Sequence, residues 1–160
     1  DYAGSCMPFG WSRTLYGPHP IMFMQDNDKL VMLAEQNNWF TLVYTDGRPH
    51  DKELPPTWYG DTVGRWEGDT FVVNSNNFND ATWLDQYGSP HSDQMTVEER
   101  YRRVDHDHLE MILNITDPQT YVGTWQGDKK IFQRVENPSE FNDLPEDICV
   151  WSDTKREIPE

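Results

Sequence analysis

Apolar positions along this chain recur mostly every second residue, in short runs separated by Gly, Pro, Asn and Asp. That is the period of a strand, and no stretch sustains the three-to-four spacing of an amphipathic helix. Residues 21–25 and 29–35 are apolar runs split by Asp26-Asn27-Asp28, a hairpin turn. In 38–45, Trp39, Thr41 and Val43 alternate with Phe40, Leu42 and Tyr44, so both faces are partly apolar and the strand is expected inside a sheet. GRWEGDTFVV, 64–73, is a hairpin turning at Glu67-Gly68-Asp69. The clearest long strand is 94–104, with Met95, Val97, Glu99, Tyr101 and Arg103 on one face and Thr96, Glu98, Arg100 and Arg102 on the other. After a charged tip at 104–108, residues 109–116 close against it, and 129–135 is a last strand.

Between these runs, 74–80 is rich in Asn and reads as loop. Residues 1–20, with Gly4, Pro8, Gly10, Gly17, Pro18 and Pro20, read as coil pinned by Trp11 and Tyr16, and 136–160 reads as an extended arm anchored by Cys149 and Trp151. Eight or so strands in meander order predict one all-β domain over residues 1–160. The expected form is an antiparallel β-barrel of lipocalin or calycin type, or a closely related sandwich, with coil arms packed on it.

Composition narrows this further. There are 13 Lys and Arg against 28 Asp and Glu, a net charge of -15 that repels phosphate backbones and anionic lipid heads, so nucleic acid and membrane surfaces are disfavoured as partners and none is expected. The 7 Trp, 7 Tyr and 7 Phe supply a core although hydrophobic residues make up only 36% of the chain. No run is long enough to span a bilayer and no signal segment is present; if the protein is exported this is the mature form, and the expected location is periplasmic or secreted. Cys6 and Cys149 have no metal-ligand spacing around them, and a bond between them would close a loop worth roughly 4–5 kcal/mol in the chain-entropy model. Such a bond fits an oxidising compartment; two separate buried thiols are the alternative.

Most of the chemically committed side chains fall between Tyr44 and Val73. Asp46, Arg48 and His50 offer a carboxylate, a five-donor cation and an imidazole around a Gly-Arg-Pro turn, while Asp46 and Arg48 would equally serve as a turn ion pair. The rigid Pro55-Pro56-Thr57-Trp58-Tyr59-Gly60 loop could roof a pocket. His91 follows Pro90 at a strand entrance, and Glu99 lies among Met, Val and Tyr, where a carboxyl must be paired or held protonated. The expectation is that Asp46, Arg48, His50 and His91, with Glu99 deeper, converge at one mouth of the barrel, with Tyr44, Trp58, Tyr59, Tyr101, Tyr121 and Trp125 lining the substrate space. His106 and His108 read as a solvent turn, Asp26 to Asp28 lacks the spacing of a calcium loop, and no metal site is expected.

TDGRPH, PTWYG and GRWEGDT, followed by FND, TWLD, PHSD, ERYRR and DP-x-x-Y with a later Trp, resemble a large family of secreted bacterial proteins of unknown function. The resemblance runs roughly from Cys6 to Cys149 and implies export and a common fold, with no activity attached. It also leads one to expect Asp where this chain has Asn74 and Thr116.

No nucleophile elbow, P-loop, GxGxxG or HExxH is present. Acids and imidazoles without an activated Ser or Cys point to proton transfer on a small organic molecule, as in a lyase, hydratase, isomerase or cyclase that needs no cofactor. The alternative is a non-catalytic ligand-binding protein or an accessory subunit of a larger extracytoplasmic complex, its Trp-rich loops serving as interface anchors, with a homo-oligomer also possible.

Overall fold

The computed structural model describes residues 2–136 and 144–150. Nine strands form one sheet: β1 (Ile21–Gln25), β2 (Lys29–Ala34), β3 (Phe40–Tyr44), β4 (Asp61–Glu67), β5 (Thr70–Asn76), β6 (Thr96–Arg103), β7 (His108–Thr116), β8 (Trp125–Gln126) and β9 (Lys130–Gln133). They follow one another in chain order from β1 to β8, and β9 lies beside β8 along the same outer edge of β7. The sheet curls into a half-barrel, so the all-β expectation holds. Every pairing is antiparallel except β3 with β4, which run parallel at Tyr44 and Val63, because the loop 45–60 bulges out and re-enters beside the end of β3.

The alternation read in 94–104 fixes which face is core. Val97, Glu99 and Tyr101 are buried, and their cross-strand partners on β7, Ile115, Leu113 and Met111, are fully buried opposite them. Phe71, Val73 and Ser75 of β5 continue the same face on the other side of β6, and Met32 and Val43 complete it. Gly64 of β4 faces this layer, where a Cβ would lie 2.5 Å from Phe71 and 2.7 Å from Val43. Only hydrogen fits there.

The concavity is filled from the N-terminal segment, which is not coil as its glycines and prolines suggested. A 3₁₀ turn spans Tyr2–Ser5, and a short helix, α1, spans Trp11–Tyr16. Gly10, at φ 84, starts the helix in a conformation that side-chain-bearing residues avoid, and its carbonyl accepts from both the amide and the hydroxyl of Thr14. Trp11 and Leu15 are buried in the single core cluster, and Lys130 of β9 donates to the Leu15 and Gly17 carbonyls at the helix C-terminus, at 2.5 and 2.7 Å. Six residues are too few to form a helix alone or to display a period, so tertiary packing holds this one.

Cys6 and Cys149 are disulfide-bonded across 143 residues of sequence, which removes the alternative of two separate thiols. Residues 144–150 dock beside the 3₁₀ turn Gln36–Asn38. There Asn37 and Asn38 take positive φ, tolerated by Asn better than by most side chains, and present their amides to the arm's backbone. The Cys149 amide donates to Asn37 at 2.6 Å, the Asp147 amide to Asn38 at 3.2 Å, and Asn38 donates to the Pro145 carbonyl at 3.1 Å. Trp151 and the rest of the expected arm lie outside the described residues. Among the described residues, no helix is long and apolar enough to cross a membrane.

Candidate functional site

The loop from β3 to β4 separates the residues grouped by sequence. Arg48 grips Asp46 through Nε and Nη2, at 2.6–3.0 Å, and its guanidinium lies 3.9 Å over the Tyr44 ring. This exposed pair closes on itself, and the Arg48 hydrogen bond holds the Asp46 carboxyl below its ordinary range. His50 turns away from it. Its Nδ1 lies 2.9 Å from Oδ2 of Asp61, the first residue of β4, and the same oxygen accepts the Asp51 amide at 2.8 Å. Asp61 is buried and accepts both bonds, so His50 carries its proton on Nδ1 and Nε2 has no partner among the described residues.

His50 lines a cleft of about 500 Å³ on the convex side of the sheet, away from the core. The sheet register builds its floor. Asn74, Glu98 and Asn114 are direct cross-strand neighbours on β5, β6 and β7, with Gln126 of β8 next in the row, and Asn76, Thr96 and Thr116 border them. Asn114 donates to Glu98 at 3.3 Å, Gln126 donates to Asn114 at 3.1 Å, and the Thr116 and Thr124 hydroxyls pair at 2.8 Å. Nδ2 of Asn74 is buried with no hydrogen-bond partner among the described residues. The two positions where the family resemblance leads one to expect Asp, Asn74 and Thr116, both lie here.

The other sequence-selected residues are not at this cleft. His91 is buried: Nδ1 meets the Ser92 carbonyl at 3.1 Å and Nε2 meets the Thr82 hydroxyl at 2.7 Å. With the carbonyl accepting from Nδ1, Nε2 accepts from Thr82 and both ring nitrogens are occupied. Next to it the fully buried Asp117 accepts the Ser92 amide and hydroxyl at 2.6 and 2.7 Å and the Gln119 and Thr120 amides, while Tyr121 donates to the Pro90 carbonyl at 2.7 Å. Burial alone would raise the Asp117 carboxyl, but these donors outweigh it and hold it low. The PHSD and DP-x-x-Y motifs thus clamp two loops together.

Glu99 is fully buried beneath α1 rather than at a mouth. It accepts from the Tyr101 hydroxyl at 2.5 Å on Oε2, whereas Oε1 has no partner in hydrogen-bond geometry. Burial pushes its carboxyl up to about 7, against weaker opposing pulls from Tyr101 and the Trp11 indole. Tyr59 packs edge-on to Trp11, Trp58 is half-buried in its loop, and Trp125 is half-exposed on β8. None of Tyr44, Trp58, Tyr59, Tyr101, Tyr121 and Trp125 lines the cleft.

Sequence reasoning gave Asp61, Glu98 and Asn114 no part in a site and met Asn74 only as a position where the resemblance leads one to expect Asp. The signal for Glu98 was present in the alternation that set it opposite Val97 and Glu99. Aligning Asn74 and Asn114 with it requires the strand register, and Asp61 sits eleven residues from its histidine. Among the described residues, no group of three or more His, Cys, Asp or Glu side chains is placed to hold a metal ion.

Fold and cleft together define an all-β half-barrel with a carboxylate-oriented histidine at a polar recess on its convex face. No protein-family model, curated protein or solved structure matches the chain.

Proposed function

We propose that this protein works outside the cytoplasm and moves protons on a small polar organic molecule held in the convex cleft, in a lyase, hydratase, isomerase or cyclase type of reaction. The observation that carries this reading is the His50–Asp61 pair at the cleft. A nearly buried carboxylate fixes the imidazole tautomer and stabilises the imidazolium once Nε2 has taken a proton, which is the construction of a general base. Glu98, in the same cleft and a third exposed, supplies a second proton-transfer group, and Asn74 and Asn114 supply amides to orient carbonyl or hydroxyl groups. The Cys6–Cys149 bond and the resemblance to secreted bacterial proteins support the compartment. A non-catalytic docking role draws its support from Trp66 and Trp125, which leave half or more of their surface exposed.

The test is a thermal-shift screen of small hydroxy and carbonyl compounds followed by His50→Gln and Asp61→Asn. A ligand at 100 times its dissociation constant raises stability by about 2.7 kcal/mol, well within reach of the assay. Binding or turnover should fall in His50→Gln while its melting temperature in the absence of ligand stays close to that of the parent. Retention of full binding and turnover by that variant would end the proposal.

A further inference from the structure

The half-barrel is open along one seam, and the seam is a groove of about 1230 Å³ between β1 and β9. Its floor is the uncovered fringe of the core. Ile21, Leu109 and Phe132 are partly buried and pack against the core cluster, while Phe23 and Met22 of β1 and Ile131 of β9 remain exposed. Its charge runs against the rest of the chain. Arg103, Lys130 and Arg134 line it with Asp107 as the one acidic lining residue among the described residues, in a protein whose net charge is -15.

None of those three cations has a carboxylate partner among the described residues. Arg103 donates to the Asp105 and His106 carbonyls at 3.0 and 2.8 Å, and Arg134 meets His106 Nε2 at 3.0 Å. Lys130 is held by the Leu15 and Gly17 carbonyls, and burial draws its ammonium below the ordinary lysine range. Elsewhere on this sheet the arginines are matched with acids, as Arg100 is with Glu67 and Arg102 with Glu110. Asp107 is itself taken up by His106. Cationic groups left without counter-charges along an apolar trough call for an occupant that brings one anion and a hydrocarbon body.

We propose that the seam groove is a binding site for a long-chain monocarboxylate, a fatty-acid-like amphiphile. The carboxylate lies against Arg134 and Arg103, and the chain runs over Phe132, Leu109, Ile21 and Phe23. Methionine and phenylalanine side chains on the outermost strand adapt to a flexible alkyl chain without a shaped pocket. This site is on the opposite face of the sheet from the convex cleft and does not depend on the chemistry proposed there.

Dodecanoate, used below its micelle concentration, is the probe, with dodecanol and dodecyltrimethylammonium as neutral and cationic controls, measured by calorimetry on the disulfide-intact protein. Saturable one-to-one binding of dodecanoate is expected, at least about tenfold tighter than either control, in keeping with a charge-assisted contact. Arg134→Gln should sharply reduce that preference while leaving dodecanol binding and the melting temperature unchanged, since among the described residues its head group bonds only to His106. Phe132→Ser should weaken acid and alcohol alike, and Phe23→Ser, at an exposed strand, repeats the test should Phe132→Ser fold poorly. Equal affinity for the acid and the alcohol, non-saturating uptake, or unaltered dodecanoate binding in Arg134→Gln would each overturn the assignment.

Discussion

Glu99→Gln should leave the protein about as stable as the parent in mild acid and make it more stable in mild base. The parent carboxyl is sealed under α1, one oxygen having no partner in hydrogen-bond geometry among the described residues, and burial lifts it to about 7. In the unfolded chain the same group ionises near 4.5. Below that pH both states carry the proton and the group has no cost. Between about 4.5 and 7 the unfolded chain releases its proton while the native protein keeps it, so native stability falls as pH rises. Above about 7 the native carboxyl ionises too and the loss is complete. Each tenfold change in proton affinity is worth about 1.4 kcal/mol, which makes the total about 3 kcal/mol. Glutamine keeps the shape and can still accept from Tyr101, and it has no proton to lose. Urea unfolding of parent and variant at several pH values from about 4 to 8.5, disulfide intact, gives the difference directly, and subtracting one curve from the other cancels the charges they share. A stability difference that does not change with pH would refute the argument that Glu99 is held protonated in the folded protein.

The remaining predictions concern the scaffold. Reducing Cys6–Cys149 releases a closure of 143 residues, worth roughly 4–5 kcal/mol in the chain-entropy model, and at about 2–4 °C per kcal/mol the melting temperature should drop by about 10 °C or more. Gly64→Ala puts a methyl into the space held by Phe71 and Val43 and should cost about 1–3 kcal/mol by chemical denaturation. Asp117→Ala strands the Ser92 amide and hydroxyl and should cost about 2–3 kcal/mol, with faster amide exchange at Ser92 and Thr120 as the local readout. Val97→Asp, at a buried position, should fail to fold, whereas Thr96→Asp on the exposed neighbour should stay folded by circular dichroism.

What could be read from sequence was whatever the two-residue period controls. It placed Val97, Glu99 and Tyr101 on one buried face, turned the chain at Glu67-Gly68-Asp69, and paired the first two strands across Asp26-Asn27-Asp28, as the structure has them. It misjudged Asn74 to Asn76 as loop. There Ser75 faces the core while the two asparagines face the cleft, so the usual turn chemistry of Asn is put to a different use on an ordinary strand. It missed α1, whose Trp11 and Leu15 become a helical face only once a half-barrel exists to receive them. The candidate site was legible in its residue types and not in its grouping. Asp46, Arg48 and His50 are neighbours in sequence, yet Arg48 spends its guanidinium on Asp46, and the carboxylate that orients His50 arrives on the next strand. His91 looked free because nothing local reveals that Thr82 and Ser92 occupy both its nitrogens.

The bond between Cys6 and Cys149 also decides how the molecule meets mechanical force. Tension applied outside the two cysteines enters at one and leaves at the other through a single covalent link, bypassing every strand that lies between them. The curled sheet, the cleft and the seam therefore bear no load along the chain while the link is intact. With the link reduced, the same tension would reach the hydrogen bonds that Asn37 and Asn38 make with the 144–150 arm.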